Sequence, residues 1–366
     1  MKVEEGQTNR TDAADRDGKG AASEALGISL TIGDLEPLGP QIGESDPLTV
    51  PAALHEALFG QPDPADNEGS PPLHSYAVLD AGKGAGLPEM LEASGLDHAC
   101  LFTGDAAREL RDVAPWIVRL EEGNRFVRGL FTAGDAPWEL WGKAAGIFLR
   151  SRGSIDQIRA HLRKFTKVPD ETGAWLYFRF WEPSPLRAYL DRLPPEDEFR
   201  QRWFGLDAAT RIEMILVPDP ARNAMRIFLP SRGIATDRAT SAERFHLRPA
   251  DIDAIRAARM TGDLEALSAL IVRTFPHLAE AHSRPDLDRA IARSASRARD
   301  FGIRQKDNLF RFIAWDLHST GPFERTDATG RLGDILRSTA PEPDKMRRLA
   351  ERMTQMSEPA ASDGPV

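Results

Sequence analysis

The most concentrated apolar stretch of the chain runs from Trp175 to Pro183, Trp-Leu-Tyr-Phe-Arg-Phe-Trp-Glu-Pro, and it alternates strictly. Successive strand side chains point to opposite faces, so Leu176, Phe178 and Phe180 share one side and Trp175, Tyr177, Arg179 and Trp181 the other. Both faces are apolar. The pattern therefore predicts a strand near the middle of a sheet covered on two sides, ended by Pro183. Arg179 is the exception on its face. A buried cation needs a carboxylate, with Asp80, Glu121 or Glu182 as candidates. Alternatively Arg179 is an anchor for the acidic group of a partner, as Arg, Trp and Tyr are enriched at interface centres.

Elsewhere the pattern divides the chain into short elements. Tyr76 to Asp80 reads as a strand, followed by Gly82-Lys-Gly-Ala-Gly86 and a helix from about Leu87 to Ser94, with Pro88 in its first turn and Gly95 at its end. Ala99 to Phe102, Trp116 to Leu120 and Gly146 to Arg150 are further strands. Asp105 to Asp112 has helical composition, and Ser154 caps a helix to Phe165 whose Ile155, Ile158, Leu162 and Phe165 share a face. Strands alternating with helices predict an α/β domain over 75–200. Ile212 to Val217 and Ala224 to Leu229, joined by a turn-rich link, predict a hairpin. Helices follow at Pro249 to Met260, Asp263 to Thr274, Pro285 to Asp300, Lys306 to Ser319 and Leu332 to Ser338. The hairpin and these helices are grouped as a second domain over 205–340.

Charge changes the picture at the ends. The chain of 366 residues carries a formal charge of −9, yet residues 1–70 hold 14 acidic and 4 basic side chains, which leaves residues 71–366 at +1. The first 70 residues are also poor in core-forming side chains, so they read as a disordered acidic leader, with Val50 to Phe59 its one apolar patch. Residues 357–366 read as a disordered tail. A neutral body lacks the basic excess of a nucleic-acid binder. No apolar run reaches membrane-spanning length and the N-terminus lacks an apolar signal core, so the expected location is the cytoplasm. The single Cys100 excludes an internal disulfide.

Residues with the spacing of catalytic or ligand-binding motifs are few. Gly82 to Gly86 lies between a strand and a helix, where backbone N–H groups can meet a phosphate, but it lacks the Lys-Ser/Thr of a P-loop and the spacing of a dinucleotide fingerprint. A nucleotide- or phosphate-binding enzyme using this loop is the alternative reading. The eight histidines are scattered without metal-ligand spacing, and no nucleophile–base arrangement can be named, so neither cofactor, metal nor catalytic residue is expected. Arg289, Arg293 and Arg297, four apart on one helix, form a basic ridge that is either a solvated face or a dock for an acidic partner.

Six segments occur in a fixed order: Tyr-Ala-Val-Leu-Asp-Ala (76–81), Cys-Leu-Phe-Thr-Gly (100–104), Ala-Pro-Trp-Ile-Val-Arg-Leu (114–120), Trp-Gly-Lys-Ala-Ala-Gly-Ile-Phe-Leu-Arg-Ser (141–151), His-Leu-Arg-Lys-Phe (161–165) and Phe-Arg-Phe-Trp-Glu-Pro (178–183). Together they resemble the domain of unknown function 4123, found in adaptor chaperones that load toxic effectors onto the spike of the bacterial type VI secretion system. Residues 298–313 are similar to the helical tail of such proteins. The resemblance implies a non-enzymatic cytoplasmic carrier with an effector and a spike protein as partners, and no nucleic acid, membrane or small-molecule substrate. Such proteins tend to follow Phe-Arg-Phe with Tyr-Asp-Pro-Arg; Trp181, Glu182, Pro183 and Ser184 stand here, so Arg179 carries over and a following Arg does not. Arg179, Trp181, Arg289, Arg293 and Arg297 are the candidate partner-binding residues. The expected fold is an α/β lobe with a mixed sheet and flanking helices, plus a hairpin and a mainly α-helical C-terminal lobe.

Overall fold

Tyr76-Ala-Val-Leu-Asp is apolar on both faces because it lies at the centre of a sheet. The computed structural model describes residues 29–41, 43–63, 69–207, 210–231, 244–319 and 321–357. Strand His74–Asp80 (β2) is flanked by Pro115–Leu120 (β4) and Gly146–Ser151 (β5). Outside β4 lies His98–Cys100 (β3). Outside β5 come Ile212–Asp219 (β8), Ala224–Phe228 (β9) and finally Ser29–Ile32 (β1). All six pairings are antiparallel, where a mixed sheet was expected.

Period-two alternation sorts the strands between two cores. Tyr76, Val78, Ile147, Leu149, Ile215 and Val217 face one layer of helices, Ile155–Thr166 (α5) and Pro183–Arg192 (α6), which supply Ile158, Leu162, Phe165, Leu186 and Tyr189. Ala77, Leu79, Phe148 and Leu216 face the other layer, Ala52–Phe59 (α1), Leu87–Ser94 (α2) and Arg125–Phe131 (α4). Local chemistry sets several ends. Gly86 and Gly95, with φ of 73° and 72°, bracket α2. Ser154 and Gln157 form a reciprocal capping box at the start of α5. Gly146 is required by packing, since a Cβ there would stand 2.1 Å from the carbonyl oxygen of Val78.

Several expectations need correction. Residues 29–63 are not a disordered leader: β1 pairs with β9, and Leu54 and Leu58 of α1 are fully buried. Acidic composition hid this, because the few apolar residues that do pack, Leu35, Leu38, Val50, Leu54 and Leu58, suffice to seat the segment on the sheet; residues 1–28 lie outside the described residues. The hairpin β8–β9 belongs to the α/β sheet, where β8 pairs with β5, so it does not group with the C-terminal helices. The two helices expected over 249–274 are one, Pro249–Thr274 (α8), since a single interior glycine, Gly262, costs only about 1 kcal/mol.

The C-terminal helices form a third core. The end of α8 joins Pro276–Ala281 (α9), Arg284–Asp300 (α10), Lys306–His318 (α11), Arg331–Arg337 (α12) and Glu342–Ser357 (α13) around Leu267, Ile271, Phe312, Phe323 and Leu349. Helix α13 was not anticipated, and of the expected tail only Ser357, its last residue, is described. Helix α8 serves both lobes: Ile255 packs in the α5/α6 core and Ile271 in the helical core.

Candidate partner-binding surface

The window Trp175 to Pro183 is not a central strand. Only Trp175–Tyr177 (β7) is extended, paired with Lys167–Pro169 (β6) in a separate two-stranded hairpin. Phe178, Phe180 and Trp181 then enter a cluster of rings around Trp203, and Pro183 opens α6 in its first turn. Phe180 and Trp181 are consecutive yet pack in the same core with their rings in contact, which one strand, sending them to opposite faces, would not allow.

Arg179 emerges from this turn with its side chain 42% exposed. It donates to Asp80 Oδ2 at 2.7 Å, and its Nε lies 2.6 Å from Glu182 Oε1 in an orientation that makes an ion pair and no aligned hydrogen bond. Asp80 is buried at the end of β2, and its other oxygen accepts from the Gly82 N–H at 3.0 Å. Glu182 also accepts from Arg259 of α8 at 3.1 Å. The arrangement is a chain of alternating charges from the sheet to α8. Two of the three carboxylates proposed for Arg179 are therefore its partners. Deeply buried arginines lie elsewhere: Arg200, which donates to the Leu193 carbonyl, and Arg150 of β5, which donates to the carbonyls of Ala57 and Gly60 at the C-terminal end of α1; Arg150 is the one whose setting matters for the N-terminal segment. Burial pushes its guanidinium down to about 10.

The other candidates separate. Trp181 is 2% exposed and packs edge-on against Phe102 and Phe180, so it is a core residue and cannot touch a partner. Arg297 is held between Asp316 and Glu324 within the helical lobe. Arg289 is exposed and pairs with Asp286 one turn earlier, which leaves Arg293 as the ridge residue without an ion pair among the described residues. The Gly82 to Gly86 loop is a poor phosphate cradle: Asp80 occupies the Gly82 N–H, the Gly84 N–H is bonded to Ala81, and the carboxylate would repel an anion. No group of three or more His, Cys, Asp or Glu among the described residues could hold a metal ion.

The feature that alternation alone misassigned is the outward face of the hairpin. Val168 and Leu176 point into the α5/α6 core, while Trp175 is 50% and Tyr177 68% exposed. Lys167 lies over both rings, at 5.6 and 6.0 Å from their centroids, and Arg244 stacks 4.7 Å from Trp175. Asp170, in the connecting turn, accepts from Thr172 and Ala174, and the Thr172 hydroxyl holds its carboxyl below the usual carboxylate range. The signal was present as Lys-Val-Pro-Asp-Glu-Thr-Gly-Ala-Trp-Leu-Tyr, two short runs around a Gly-containing turn. No helix of the described residues is long and apolar enough to cross a membrane. Comparison with curated proteins and with solved structures returned no match. Residues 75–198, which carry β2 to β7, α6 and both residues of the exposed aromatic pair, match the family model described as Domain of unknown function (DUF4123).

Proposed function

We propose that the protein is a non-enzymatic adaptor that binds a type VI secretion effector in the cytoplasm and loads it onto the secretion spike. The observation that carries this reading is the Trp175/Tyr177 face, which with Lys167 lies inside the segment that matches the family model and which Arg244, from outside that segment, also covers. Large rings held on a hairpin and left in water suit a protein partner, because Trp, Tyr and Arg dominate the energetics of protein interfaces.

The test is capture. The intact protein, tagged and co-expressed with the products of its neighbouring genes, is expected to retain one toxin-like protein and one spike protein, and removal of its gene is expected to stop export of that toxin. Capture of neither, together with unimpaired export, would overturn the proposal.

A further inference from the structure

Among the described residues, the β6–β7 hairpin has one covered edge and one open edge. Asp170 N–H donates to Ala174 and Phe178 N–H to Thr166, so the even-numbered residues of β7 bond to β6 and the backbone groups of Trp175 and Tyr177 turn away from it. On the far side of β6, the Pro169 carbonyl accepts from Leu247 N–H at 3.0 Å. Beyond β7 no described backbone group bonds to Trp175 or Tyr177. An exposed edge of this kind is a template for another strand.

The side chains beside that edge state what the strand would be. Lys167 and Arg244 lie over the exposed rings and make no ion pair among the described residues, whereas Arg202, Arg226, Arg248 and Arg297, which also lie over rings, each have a carboxylate partner, and Arg200, over Phe228 without an ion pair, is buried and donates to the Leu193 carbonyl. Asp170, the acid at the hairpin turn, is committed to its own turn. We propose that the outer edge of β7 is a strand-addition site for an extended acidic segment of a protein partner. Its carboxylates pair with Lys167 and Arg244, and its alternate side chains lie on Trp175 and Tyr177.

A second copy of this hairpin does not fit, because Lys167 and Arg244 would meet their own kind. Single-stranded nucleic acid also favours rings and cations, but it has no backbone that could complete a β-ladder, and residues 71–366 are nearly neutral. For the partner's identity, and only for that, the inference rests on the adaptor reading.

The test is a random-peptide display selection on the intact protein. Enriched peptides should carry carboxylates at alternate positions. They should lose at least about tenfold in affinity on Trp175→Ala, as truncation of an interface anchor does, and weaken as salt is raised. Tyr177→Pro removes an N–H that points away from β6, so it should weaken binding further than Tyr177→Ala while the melting temperature is kept. Lys167→Glu with Arg244→Glu should shift the selection towards basic peptides. No enrichment, enriched peptides without acids, indifference to Trp175→Ala, or oligothymidylate binding that shares the dependence on Trp175 would each overturn the proposal. Effector capture that survives Trp175→Ala and Tyr177→Pro sinks this site alone. Selected peptides that bind as described, to a protein that captures no neighbouring gene product, sink the adaptor reading and leave the site standing.

Discussion

His161 is a residue whose surroundings convert directly into a pH dependence. Its ring is buried, its Nε2 lies 3.1 Å from the Trp203 carbonyl, and its Nδ1 has no partner. The neutral ring with the proton on Nε2 satisfies this site, whereas the imidazolium would bury an N–H without an acceptor. Burial accordingly pushes the group down to about 4. In the unfolded chain it titrates near about 6.5, so between those values the unfolded state binds the proton and the folded state does not. Stability is full above about pH 6.5 and falls as pH drops towards 4, by up to about 3 kcal/mol. Urea midpoints at neutral and mildly acid pH should show this slope, and His161→Gln should flatten it. An equal slope in the variant would remove the assignment.

At the scale of the element, the segment 29–63 is the one to cut. Residues 1–70 read as a disordered leader from their composition, but β1 completes the sheet, Leu54 and Leu58 are buried at about 2 kcal/mol each, and the carbonyls at the C-terminal end of α1 accept hydrogen bonds from the buried Arg150 guanidinium. Leaving a buried cation without its partners adds about 3 to 5 kcal/mol. The sum is comparable with the whole stability of a domain, about 5 to 15 kcal/mol. A protein beginning at Pro71 should therefore lack a cooperative melt by circular dichroism. A sharp transition at the temperature of the full chain would mean that the segment is peripheral.

The whole molecule depends on how the two lobes are joined. Helix α8 contributes to both cores, and beside it the charges Asp80, Arg179, Glu182 and Arg259 run from β2 through the start of α6 to α8. Arg179 is partly exposed, so its loss should not melt the domain outright. Arg179→Ala leaves Asp80 buried without its cation and should cost about 1 to 3 kcal/mol. Glu182→Ala should cost a similar amount, and the double variant less than the sum because the two share one network. The unfolding transition should stay single and move to lower urea. Additive losses would show that the charges act separately, and a wild-type protein that unfolds in two steps would show that α8 does not couple the lobes.

What the sequence determined by itself is local. Gly86 and Gly95 set the limits of α2, the Ser154 cap starts α5, the turn-rich link makes the β8–β9 hairpin with Asn223 in the left-handed region, and a buried Asp80 at a strand end was a sound partner for Arg179. The helices after Pro249 were legible from their periodicity, whereas the hairpin grouped with them pairs into the α/β sheet. Strand neighbours did not follow, because the backbone bonds that place β8 beside β5 and β1 beside β9 carry no side-chain signature. Alternation correctly put Trp175 and Tyr177 on one face, but whether that face meets protein or water depends on which remote segments arrive there. Val168 and Leu176 find the α5/α6 core, the far edge of β6 is taken by Leu247, and the aromatic face is left to Lys167 and Arg244. Likewise the arginine ridge was visible as spacing, and only the approach of Asp316 and Glu324 from α11 and the loop after it decided that Arg297 is bound internally.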